Sequence, residues 1–174
     1  MNTRDFNNIS IRGRVAYAIL CFENYVQARY TDKDFSVIAS LMWSIVGDTG
    51  YIDENADKYM EAIPEYLYEF DNFEDSEFDY ITKEEYESFK SILCPSDASL
   101  NTIMHRIYDI ATEYAYEGFD APGNETIQYI CDVVDELRKN NVPVPEYKLV
   151  QPFSFDEYDG WGDFIQASGL SNII

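Results

Sequence analysis

Apolar residues return every three or four positions through most of the first 140 residues, the spacing of helices with one face turned inward. Ile11, Val15, Ala18, Phe22, Tyr25 and Arg29 carry this rhythm, with Arg12, Glu23 and Gln27 assigned to the outer face. They predict an amphipathic helix. A second helix is expected from Thr31 or Asp32, both good N-cap residues, with Asp34 adding to a box-like start. Its Phe35, Ile38, Ala39, Leu41, Met42, Ile45 and Val46 are apolar on nearly every side. Ser36, Ser40 and Ser44 recur four apart, a thin stripe suited to close helix packing. This pattern predicts the central buried helix, stopped by the glycines of 47–50.

An acidic middle follows, with a helix expected over 54–62 and a restart at Pro64 in a first-turn position. Residues 71–80 alternate acid with aromatic, which fits an irregular arm. A short helix over 83–93 is broken by Cys94, Pro95, Ser96 and Asp97. Leu100, Ile103, Ile107, Ile110 and Tyr114 mark a long helix ended by Gly118. Gly123 and Asn124 open another, with Ile127, Ile130, Cys131, Val134 and Leu137 inward, and Arg138 and Lys139 at its negative dipole end. After Asn141 the rhythm stops. Two prolines restrict 142–150 to an edge strand or a surface strap. Trp161 between Gly160 and Gly162 predicts a tight turn, and Leu170, Ile173 and Ile174 predict a docked C-terminus. The fold class is mainly α: a single-domain bundle of about six helices over 1–174, with a helical body (1–140) and an extended, aromatic-rich C-terminal segment (141–174).

Charge changes the picture more than composition does. Of 174 residues, 33 are Asp or Glu and 12 are Lys or Arg, a net charge of −21. The apolar fraction of 46%, with fifteen Tyr and eleven Phe, is enough for a core and argues against disorder. Such a chain repels nucleic-acid backbones and anionic membranes, so direct binding to either is not expected. The first ten residues lack the apolar run of a signal peptide, and no stretch approaches about 18 apolar residues. A soluble, cytoplasmic protein is expected. Cys21, Cys94 and Cys131 are an odd, widely spaced set, which favours free thiols, those of Cys21 and Cys131 buried.

Catalytic chemistry has little to work with. His105 is the only histidine, and Asp109, four residues on, is its expected carboxylate neighbour on a solvated helix face. Asp75, Glu77 and Asp79 imitate the first ligands of a calcium loop. The sixth position, however, is Tyr80 where the turn needs Gly, and the twelfth is Tyr86 where Glu belongs. Glu61, Glu65 and Glu69 share helical spacing, but a solvated stripe lacks the pocket that separates two carboxyl pKa values. No Gly-rich phosphate loop, nucleophile elbow or zinc spacing is present. No catalytic, cofactor-binding or metal-binding residue is assigned, and no cofactor is expected.

The acidic middle carries the strongest signal. Between Asp53 and Glu87 stand fourteen carboxylates and two bases, Lys58 and Lys83, with aromatics threaded among them. Dense like charge destabilises a compact chain by self-repulsion, so folding alone does not ask for it. A basic partner does: carboxylates steer and align it, and aromatics supply contact area. A solvated face is the competing explanation, since Tyr59, Ile63, Tyr66 and Phe70 also fit an inward stripe. Five bases (Arg4, Arg12, Arg14, Arg29 and Lys33) fall in the first 33 residues and offset only part of the excess. The residues assigned to partner binding are Glu65, Tyr66, Glu69, Asp71, Phe73, Glu74, Asp75, Glu77, Asp79 and Tyr80.

In general character the chain resembles the immunity proteins of bacterial polymorphic-toxin systems, including contact-dependent growth inhibition. The likeness rests on the small, acidic, helical chain, on Arg14-Val-Ala-Tyr-Ala-Ile-Leu-Cys-Phe-Glu23, and on the ending from Phe153 through Gly160-Trp-Gly-Asp-Phe164 to Ile174. What the resemblance implies is one-to-one binding to the C-terminal domain of a cognate toxin, often a nuclease with a basic groove. A nucleic-acid mimic directed at DNA- or RNA-binding proteins shares the charge and remains open. So do a carboxylate-based metal enzyme and a structural module of a larger assembly.

Overall fold

Ser10 turns its hydroxyl to the Gly13 amide at 3.2 Å, an N-cap that starts the longest helix, α1 (Ile11–Arg29). In this computed structural model, which describes residues 3–47, 52–114 and 123–174, α1 is the centre of the molecule. Every residue from Gly13 to Glu23 is buried. The expectation that α2 (Ser36–Val46) is the central helix, and that Glu23 faces outward, is therefore corrected. Two polar side chains are buried on α1 because each meets a full set of partners, which offsets its desolvation. Arg14 donates to the carbonyls of Ile9 (2.9 Å), Phe6 (3.1 Å) and Gly123 (2.8 Å), and to Thr126 Oγ1 (2.7 Å). Glu23 accepts from Trp43 Nε1 at 2.8 Å and from the C-terminal segment.

The helix α2 starts later than the Thr31–Asp32 pattern predicts, because Asp34 Oδ1 accepts the Ser36 amide at 2.8 Å. Its Ile38, Ala39, Met42, Trp43, Ile45 and Val46 point inward. Of the serine stripe, Ser40 is exposed while Ser36 and Ser44 are half-buried, and the Ser44 carbonyl accepts from Asn55 Nδ2 of the next helix at 3.0 Å. Then follow α3 (Ile52–Glu61), α4 (Pro64–Leu67), α5 (Lys83–Ile92), α6 (Ala98–Thr112) and α7 (Asn124–Lys139). The described residues thus hold seven helices; the one beyond the expected six is the single turn α4, begun by Pro64. Thr82 and Glu85 close a capping box on α5, and Asp97 caps α6 through the Leu100 amide at 3.0 Å. The expected stops at Gly50 and Gly118 lie outside the described residues.

The helices α1, α6 and α7 pack on one another, α2 and α3 flank them, and the buried apolar residues form one continuous core. Among the described residues there is no β-strand, only an isolated antiparallel bridge between Ile9 and Ser154. Residues 142–150 are a strap: Pro143 and Pro145 offer carbonyls to Asn24 Nδ2 and Tyr17 Oη, each at 2.9 Å. The end of the chain docks. The Ile165 amide reaches the Val46 carbonyl at 2.8 Å, and Ser171 Oγ and the Asn172 amide reach Glu23 at 2.6 and 2.7 Å. Among the described residues no helix is long and apolar enough to cross a membrane. All three cysteines are free; Cys21 is buried, but Cys131, like Cys94, is only half-buried, because it lies at the border of the inward face of α7.

Candidate partner-binding surface

A carboxylate in the last turn of a helix opposes the helix dipole, so Glu61 at the end of α3 needs another reason to be there. The reason is the arm. Glu61 is buried, and its two oxygens accept the backbone amides of Asp79 (2.8 Å), Tyr80 (3.0 Å) and Ile81 (2.9 Å). Glu61 is thus a clamp rather than one member of a solvated Glu61–Glu65–Glu69 stripe. At the other end of the arm, Tyr86 Oη and Lys90 Nζ both donate to the Phe70 carbonyl, at 2.8 and 2.9 Å. Residues 71–80 are therefore pinned at both ends while containing only one 3-10 turn, Phe73–Asp75.

The alternation of acid and aromatic sorts the arm into two sides. Phe73 lies edge-on to Tyr86 with ring centroids 5.7 Å apart, and Phe78 meets Phe70 at 5.7 Å and Tyr86 at 5.9 Å. These rings form a floor beneath the arm. Above it Asp71, Glu74, Asp75, Glu77 and Asp79 are exposed. Tyr80 stands 46% exposed among them, its phenol pushed above the usual range first by the charge of Asp57. Phe73 is half-buried and committed mainly to the floor.

Local neutralisation is thin. Lys83 pairs with Glu74, which lies below the usual carboxylate range because of that bond, and Lys58 pairs with Glu85 at 2.7 Å. Of the N-terminal bases, Arg12 and Lys33 donate instead to the carbonyls of Gly162 (2.7 Å) and Ile92 (2.6 Å).

Glu65 and Glu69 are exposed, and Glu65 Oε2 lies 2.7 Å from His105 Nε2. The partner of His105 is thus Glu65, not Asp109. Asp109 is taken by Arg106 at 2.6 Å, and Arg106 also reaches Asp132 at 2.8 Å and stacks on Tyr129. Half-buried Tyr66 packs on the His105 ring at 5.8 Å. The assigned residues therefore fall into the arm, 71–80, an α4 patch at Glu65 and Tyr66 facing α6, and Glu69 exposed in the turn between them. Sequence reasoning missed Glu61, whose one signal was its adverse position on the helix. It also missed Glu23 and Arg14, where polar residues inside an apolar helix had no visible partners.

Among the described residues, no group of three or more His, Cys, Asp and Glu side chains is placed to hold a metal ion. No protein-family model, curated protein or solved structure matches this chain.

Proposed function

We propose that this protein is a cytoplasmic immunity protein, a stoichiometric inhibitor that binds a basic toxin domain through its acidic arm. The observation that carries the reading is the pinning of 71–80 between Glu61 at one end and Tyr86 and Lys90 at the other: the backbone that bears the exposed carboxylates is held over its own aromatic floor. An array already ordered loses little entropy on binding. Its charge accelerates encounter with a positive surface, toward about 10⁸ M⁻¹s⁻¹ at low salt. On a nuclease, such carboxylates occupy positions otherwise taken by substrate phosphates. Tyr80 and the α4 patch supply contact area beside them. Inhibition by occupancy requires no bond-making chemistry from this chain.

The test uses the polypeptide encoded beside this protein. Its isolated C-terminal domain should bind one-to-one, lose its toxicity on binding, and leave growth unaffected when both are co-expressed. Absence of binding overturns the reading. Equally tight binding to unrelated nucleic-acid-binding proteins favours the general mimic instead.

A further inference from the structure

Among the described helices only α2 carries no charged side chain, although 26% of the chain is charged. Its outward positions, Val37, Ser40, Leu41 and Ser44, have the spacing of a single helix face. Val37 is 45% exposed and Ser40 is exposed, with Leu41 and Ser44 half-buried. A helix without a charged face is ordinarily covered all round. Here two aliphatic side chains and two hydroxyls are turned outward instead.

This face is continuous with the acidic arm by way of α3. The Ser44 carbonyl accepts from Asn55 Nδ2 at 3.0 Å, which sets the start of α3 against α2. Glu54, Lys58 and Glu61 form one line along α3, about 10 Å long at the rise of a helix. The line begins beside Asn55 and ends at Glu61, which holds the amides of Asp79, Tyr80 and Ile81. It is open to solvent between those ends, with Glu54 exposed and Lys58 half-buried. The aliphatic face and the arm are therefore the two ends of one strip.

The arm by itself lacks an apolar anchor. Phe73 and Phe78 are committed to its floor, and Tyr80 is its one exposed ring. Charge sets the rate of encounter, whereas affinity is concentrated in apolar anchors that become buried. A stable interface also takes about 800 Å² and roughly 20–30 residues from each partner, more than the segment 71–80 offers. We infer that the outer face of α2 is the second half of the partner footprint. The basic domain held by the arm sets an aliphatic or aromatic side chain, next to its basic surface, over Val37 and Leu41. Its contact there is uncharged because α2 offers a cation no carboxylate. This rests on the reading that the arm takes a basic domain, and adds the surface that keeps the complex together.

The test uses the neighbouring toxin domain and the full-length protein with labelled Val and Leu methyl groups and backbone amides. In the complex the methyl signals of Val37 and Leu41 should shift together with the amides of 71–80. Val37→Ser combined with Leu41→Ser should speed dissociation about tenfold and change association by less than about twofold. Val37→Ser alone, at a position already near half exposure, should speed it about threefold and guards against a folding defect in the pair. Still methyls in a complex that shifts 71–80, or dissociation unaltered in both variants, would overturn the inference and leave the arm supported. Shifted methyls with faster dissociation, but no shifts at 71–80, would support it and count against the arm. Absence of any complex would overturn both.

Discussion

Replacing Glu61 with Ala tests whether the arm is held or merely present. The change removes one acceptor side chain from three backbone amides and leaves every exposed carboxylate of 71–80 in place. A hydrogen bond to a charged group contributes about 1.5–3 kcal/mol. Only the Ile81 amide lies in a buried position; those of Asp79 and Tyr80 are part-buried and regain water when the arm loosens. The loss therefore falls nearer to one or two such bonds than three, about 3 kcal/mol. For a chain of this size that is a drop in Tm of about 6–12 °C. Glu61→Gln keeps one acceptor but turns an amide NH₂ toward a backbone N–H, so an intermediate loss is expected. Hydrogen exchange reads the local effect: the amides of 79–81 should lose protection in both variants before the helices do. Partner association should slow because the array is no longer fixed, although net charge falls by only one acid. Unchanged protection at 79–81, or a stability loss under about 1 kcal/mol, would refute the clamp.

Glu23→Ala strands the buried Trp43 Nε1 and frees the tail; a loss of about 3 kcal/mol is expected, with Ser171→Ala costing about 1, both read from urea midpoints. Carboxypeptidase should then trim the Glu23→Ala tail faster than that of the wild type. Burial raises the Asp97 carboxyl, but the hydroxyls of Tyr30 and Tyr25 and the Leu100 amide outweigh it and hold its pKa below 3.8. A depressed carboxyl pKa stabilises the fold above the ordinary value, and that contribution fades as pH falls through the depressed one. Asp97→Ala should accordingly cost about 1 kcal/mol or more at neutral pH, mostly through the lost cap, and the gap to wild type should narrow below pH 3.8. Thiol labelling at pH 8 should rank the cysteines. Cys94, lowered by its bonds to Ser96, reacts first; Cys131, raised by burial and then by Asp135 and Asp132, reacts later; buried Cys21 reacts only on unfolding.

The helices were legible because their apolar spacing, caps and breakers act locally: Pro64 and Gly123 stand where the pattern puts a start, and the break over 94–97 separates α5 from α6. The order of burial was not. Which helix is central depends on what covers its polar residues, and the donors that cover Glu23 come from a segment almost 150 positions away. For the same reason the arm was visible as a change of rhythm, whereas its clamp was not. The alternation within 71–80 showed only an irregular arm of acids and rings; that the two part to opposite sides, with Phe73 and Phe78 against the protein's own Tyr86, is visible only in the fold. The pairing of His105 with Glu65 is another contact between elements, which helical spacing cannot report.

The most direct test of the central claim is the association rate with the neighbouring toxin domain, measured by stopped flow at about 50 mM and about 500 mM salt, where screening differs strongly. It compares the wild type with Asp71→Asn, Asp75→Asn, Glu77→Gln and Asp79→Asn combined. The account expects a fast, steeply salt-sensitive rate for the wild type, and for the variant a rate at least tenfold slower at low salt with a flatter salt dependence. A variant as fast as the wild type, with the same salt slope, would contradict docking through the arm.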